Sequence, residues 1–135
     1  MSTHPMRILV VEDHPFQLIA TEVRLNQLGY FLLTPAMTAN EALQALQRSA
    51  SPYDLMLCDQ RLPDMSGFEL VCNAHQEGLI RYAIMLSGVA DEQLQALEYQ
   101  ALSQGLPVLG CLSKPLETTA LVRLLSFLDT RQPTR

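Results

Sequence analysis

The stretch LMLCDQRLPDMSG, Leu55 to Gly67, runs four apolar residues straight into a carboxylate and then breaks into turn residues. A run that short, closed by Pro63 and Gly67, reads as a strand of a buried sheet. Its last residue, Asp59, then stands at the rim of a core, where an acid either caps structure or does chemistry. Four other runs share the pattern: ILVV (Ile8–Val11), YFLL (Tyr30–Leu33), AIML (Ala83–Leu86) and VLGCL (Val108–Leu112). They are nearly continuous rather than alternating, as expected of strands covered on both faces.

Segments of helical period lie between them. Phe16, Leu18, Ile19, Val23, Leu25 and Leu28 define a first helix that Gly29 ends. Ala42, Leu43, Ala45 and Leu46 define a second, opened by a capping-box spacing from Thr38 to Glu41. A third is expected over 67–76, a fourth over 91–105 with a closing glycine, and a fifth over 117–130. The fifth is rich enough in leucine to suggest a second buried surface. Strand and helix alternate five times, which predicts an α/β fold with an open, doubly wound parallel sheet.

The chain has 135 residues, 48% of them hydrophobic, enough for the core of one domain. Boundaries are expected at 1–5 for a disordered start, 6–129 for the domain and 130–135 for a polar tail or linker. A net charge of −5 with scattered basic residues offers no dense basic stripe, which argues against direct nucleic-acid binding. Cys58, Cys72 and Cys111 show no C-x-x-C pairing and read as buried free thiols suited to a reducing cytoplasm. The apolar run before Glu12 is too short for a signal peptide or a membrane span, so a cytoplasmic protein without membrane contact is expected.

In an open parallel sheet, ligands bind beyond the carboxyl ends of the strands. Those ends carry Glu12 and Asp13, then Asp59, Ser87, and finally Lys114 before Pro115. Each has an ordinary structural reading as a cap, an Asx turn or a solvated charge. Together they do not, because three carboxylates within about 5 Å repel by several kcal/mol, and a capping gain of about 1 kcal/mol does not offset that. A divalent cation such as Mg²⁺ would, with the Lys114 ammonium supplying the rest. A carboxylate so placed can itself be a phosphoryl acceptor, and Asp59 is the best placed.

VVEDHP, LMLCDQRLPDMSG, IMLSG and CLSKPL, in this order and at these strand ends, resemble the receiver (CheY-like) domain of bacterial two-component response regulators over about Met6 to Leu128. The resemblance implies a flavodoxin-like (βα)5 fold with strand order 2-1-3-4-5. It implies that Asp59 accepts a phosphoryl group from a sensor histidine kinase or a histidine phosphotransfer protein, as a signalling switch rather than a metabolic enzyme. Asp13 and Asp59 would hold Mg²⁺ (or Mn²⁺) directly, Glu12 through water, and the Arg61 backbone carbonyl would complete the protein ligands. Lys114 and the Ser87 hydroxyl would bind the phosphoryl oxygens, while Pro63, Gly67 and Pro115 would shape the loops.

The chain departs from the family pattern in two places. Cys111 stands where a switching aromatic ring is usual, and the segment from Ser87 to Lys114 is longer by roughly a helical turn. Longer segments there resemble those of receivers joined to EAL-type cyclic-di-GMP phosphodiesterase domains, which makes such a domain a candidate output partner. Leu121, Leu124, Leu125 and Leu128 suggest a weak homodimer through the helix 4, strand 5 and helix 5 face. The alternative function is a receiver-like interaction module that is never phosphorylated. A phosphate-binding module is disfavoured by the acids, and an Asp-based phosphatase by Arg61, which stands where such enzymes place a second Asp. His4, His14 and His75 read as solvated or capping residues, and Tyr82, Tyr99 and Phe127 as packing.

Overall fold

The computed structural model describes residues 5–88, 91–114 and 116–131; Pro115, His4 and the outermost residues of both expected tails lie outside them. The elements alternate as β1 (Arg7–Val11), α1 (Pro15–Gln27), β2 (Leu32–Ala36), α2 (Ala39–Arg48), β3 (Tyr53–Asp59), α3 (Gly67–Gln76), β4 (Ile80–Ser87), α4 (Asp91–Ser103), β5 (Val108–Ser113) and α5 (Thr118–Arg131). All neighbouring strands are parallel, in the order β2-β1-β3-β4-β5. The expected doubly wound topology is therefore present.

The continuous apolar runs divide their side chains between two layers, as a two-residue period requires. Leu9, Val11, Met56, Cys58, Ala83 and Met85 face α2 and α3, meeting Ala42, Leu46, Leu70 and Ala74. Ile8, Val10, Leu55, Leu57, Ile84 and Leu86 face α1 and α5, meeting Leu18, Leu25, Leu121 and Leu125. Leu97 of α4 joins the first layer.

Two expectations are corrected. The second strand is Leu32–Ala36 rather than Tyr30–Leu33, because Tyr30 belongs to the end of α1: its N–H donates to Leu25 O at 2.9 Å across Gly29, whose φ is +97°. The strand continues through Pro35, which an edge strand tolerates. In α5, Leu121, Leu125 and Leu128 are buried in the chain's own core and Leu124 packs partly against it. These leucines thus serve the chain's own core, and the apolar side chains that this helix exposes are Val122 and Phe127. Cys72 is also only half-buried, whereas Cys58 and Cys111 are buried as expected.

Helix starts are set by side chains from outside as well as inside. Thr38 Oγ1 accepts from Glu41 N at 3.0 Å, which confirms the cap, and Asp64 accepts from Ala39 N and Asn40 N at 2.9 Å each. All three of the first N–H groups of α2 thus have side-chain acceptors.

Candidate functional site

Backbone bonds bring the strand ends level. Glu12 N donates to Ala36 O at 3.0 Å, Gln60 N to Leu86 O at 2.8 Å, and Lys114 N to Ser87 O at 2.8 Å. The side chains leaving those ends accordingly meet at one edge of the sheet. Lys114 Nζ donates to Asp59 Oδ2 and Glu12 Oε1 at 3.1 Å each and to Gln17 Oε1 at 2.9 Å.

The electrostatics follow from burial. Glu12 is 1% exposed and Asp59 4% exposed. Burial raises the Glu12 carboxyl above its usual range, and the nearby Asp59 charge adds to the rise; the His14 backbone N–H and Lys114 oppose it. Burial alone would lower Lys114, yet its hydrogen bonds to Asp59 and Glu12, together with their charges, outweigh that and hold it above the usual lysine range. The ammonium thus supplies part of the positive charge that the clustered acids require.

Asp13 does not cap α1. The N-cap is His14, without a side-chain capping bond, and the His14 N–H donates to Glu12 Oε2 at 3.1 Å. Among the described residues, Asp13 Oδ1 is a buried oxygen with no hydrogen-bond partner; it lies 3.2 Å from His14 Nδ1 but without hydrogen-bond alignment. A buried carboxylate oxygen lacking a donor is one that a hard cation satisfies. Asp13, His14, Asp59, Arg61, Gly88 and Lys114 line a cavity of about 300 Å³ over it. The residues present therefore fit a divalent metal.

Asp59 Oδ1 also accepts from Arg61 N at 3.3 Å, so the Asx-turn reading and the chemical one hold together. Gly67 abuts this turn: its N–H donates to Gln60 O at 2.8 Å, and a Cβ on it would meet Asp59 O at 2.3 Å. Pro63 lies exposed in the intervening loop. Ser87 is buried at the end of β4 and lines a different cavity, on the α4 side, together with Gln60 and Arg61. Cys111 pairs with Met85, two positions before the strand end, buried beneath α4 and apart from the acids. Burial, then the charge of Glu98, pushes its thiol up to about 12.

Sequence reasoning missed Gln17, Gln60 and Asp64. Gln60 Oε1 accepts from Phe68 N at 3.0 Å and so fixes the start of α3 to the end of β3. Asp64 does the same for α2, and its place in the LPDMSG loop was the available signal. Gln17 carried none.

The response regulator receiver domain pattern matches residues 8–126. The sensor histidine kinase RcsC of Salmonella typhi is 33% identical over 131 residues, covering 96% of this chain and 13% of that kinase. The cyclic di-GMP phosphodiesterase RocR of Pseudomonas aeruginosa is 28% identical over 127 residues, covering 94% of this chain and 32% of that protein. The chain thus spans a minor part of the curated relatives it matches. Among solved structures, a CheY-like response regulator receiver domain protein from Methanospirillum hungatei JF-1 has a TM-score of 0.74 at 30% identity, covering 94% of this chain and 96% of that one. With the strand order and the grouping of acids and lysine at one sheet edge, these similarities place the chain in the response regulator receiver domain family of two-component signalling.

Proposed function

We propose that Asp59 is a phosphoacceptor, taking a phosphoryl group from a phosphohistidine on a sensor kinase or phosphotransfer protein. The observation that carries this reading is the buried Asp59 carboxylate bonded to Lys114 at the strand edge, near an Asp13 oxygen that has no hydrogen-bond donor among the described residues. An Asp59 oxygen attacks phosphorus, the phosphorus–nitrogen bond breaks, and its electron pair leaves with the donor imidazole. The product is an acyl phosphate. Asp13, Asp59 and the Arg61 carbonyl would hold Mg²⁺ or Mn²⁺, with Glu12 acting through water. When bound, that ion neutralises charge developing on the phosphoryl oxygens.

Lys114 is placed to follow Asp59 Oδ2 and pair with a phosphoryl oxygen, because a lysine ammonium can redirect its donors without leaving the edge. Gln17 helps hold it there. The Ser87 hydroxyl is the donor next in line on β4. Around the mouth, α1 presents Phe16, Ile19 and Val23, exposed by 86%, 55% and 48%. A donor protein must bring its histidine to this rim, and these side chains are the apolar surface it would cover.

The added charge of roughly −1.5 to −2 is the signal, passed to an output domain or partner protein. Likeness to RocR supports a cyclic-di-GMP phosphodiesterase domain as one such output. Among the described residues no helix is long and apolar enough to cross a membrane. Intact-mass analysis with acetyl phosphate and Mg²⁺ tests the reading: one phosphoryl adduct is expected, absent in Asp59→Asn and after EDTA. Equal labelling of Asp59→Asn would overturn the assignment.

A further inference from the structure

α4 packs against β5. Ala101 is buried and Leu97 half-buried beneath it, while Tyr99 and Leu102 point outward, 75% and 71% exposed. Its polar tie is Glu98, whose Oε2 accepts from the Cys111 backbone N–H at 2.9 Å. This hydrogen bond joins α4 to the main chain of β5. β5 is an edge of the sheet, so the amide would otherwise face outward unpaired. Gly110 beside it is closed in by α5 rather than by Glu98: a Cβ there would lie 3.1 Å from Leu124 Cδ1 but at an ordinary contact distance, 3.6 Å, from Glu98 Oε2.

The other flank of α4 borders open space. A cavity of about 620 Å³ separates it from the acceptor loop, lined by Gln60, Arg61, Ser66, Ser87, Leu97 and Gln100. Close-packed elements resist gradual deformation, but a helix beside a cavity can move without displacing a core. Ser87 lines that cavity at the end of the strand beside Asp59.

We propose that Glu98 is the positioning residue of a latch: its carboxylate holds α4 on the Cys111 amide while Asp59 is unmodified and releases it when charge added at Asp59 shifts the strand end at Ser87. The latch rests on the reading of Asp59 as phosphoacceptor. It acts through the main chain of β5, so it needs no aromatic ring at position 111. Cys111 reports on it, because the residue is only 7% exposed with α4 in place.

The experiment is maleimide labelling of Cys111 in the whole chain, resolved from Cys58 and Cys72 by peptide mass, with and without acetyl phosphate and Mg²⁺. Intact mass of the same samples records the phosphoryl adduct. In resting protein, Glu98→Ala should label about tenfold faster than wild type, the worth of one charge-assisted hydrogen bond. Glu98→Gln, which keeps an acceptor oxygen but no charge, should fall between wild type and Glu98→Ala, separating the bond from the carboxylate's effect on the thiol. Phosphorylation should accelerate labelling of wild type and leave Glu98→Ala unchanged. Equal labelling of Glu98→Ala and wild type at rest, or a phosphoryl adduct with no change at Cys111, would overturn the latch and leave the acceptor reading intact. Absence of any adduct would overturn the acceptor reading and the switching half of the latch with it.

Discussion

Gly67 shows how narrowly single atoms are placed around Asp59. A Cβ at this position would stand 2.3 Å from Asp59 O and 3.0 Å from Gln60 Cα, both main-chain atoms that cannot rotate aside. Gly67→Ala should therefore cost about 1–3 kcal/mol, read as a lower denaturation midpoint, although alanine suits a helix start better than glycine does. The LPDMSG motif marked this glycine as important without giving the reason, since a close approach between strand end and helix start exists only once both are folded. The acids and Lys114 were legible because strand ends in a parallel sheet converge. Gln17 was not, because a glutamine on an exposed helix turn looks like any other until Lys114 reaches it.

At the level of elements, the β3–α3 loop is tied to α2 by Asp64, whose carboxylate receives the Ala39 and Asn40 N–H groups. Those bonds, Ala39 first, hold the Asp64 carboxyl below its usual range. A lowered folded-state value means that the contribution is full above the unfolded value of about 3.9 and is lost as pH falls through the folded one. Asp64→Ala should melt at a lower temperature than wild type at neutral pH, and the difference should vanish in strong acid; an equal gap at both would show that the carboxylate is not its source. The element boundaries that the sequence obscured have physical causes. Helix α1 has the apolar count of a core helix, yet Phe16, Ile19 and Val23 face outward while Thr21 is buried. Composition cannot reveal which side of a two-sided stripe meets the sheet. β2 was misplaced because the end of α1 claims Tyr30, and because threonine and proline conceal an edge strand.

Across the whole molecule, two layers enclose the sheet, and α5 closes one of them. Leu121→Ala should cost about 2–5 kcal/mol by thermal or denaturant unfolding, whereas Val122→Ser, 41% exposed, should stay within about 0.5 kcal/mol. Comparable losses from both would return α5 to the role of an outward-facing surface. The alternation of short apolar runs with helical periods made the topology readable from the chain, since each run had to supply two faces. The two departures of the α4–β5 region were readable as departures only; the bond found there, a carboxylate of α4 on a main-chain amide of β5, joins segments whose sequence spacing predicts nothing about it. The tight seat of Gly67 against Asp59 and the open space beside Ser87 have a joint consequence. The Asp59 edge is close-packed on its α3 flank and bordered by open space on its α4 flank, so if Asp59 takes a phosphoryl group as proposed, the α4 side is the direction in which the strand end can give. Under that reading the molecule would act as a rectifier for mechanical strain, its polarity set by a missing methyl group on one side and a missing filling on the other.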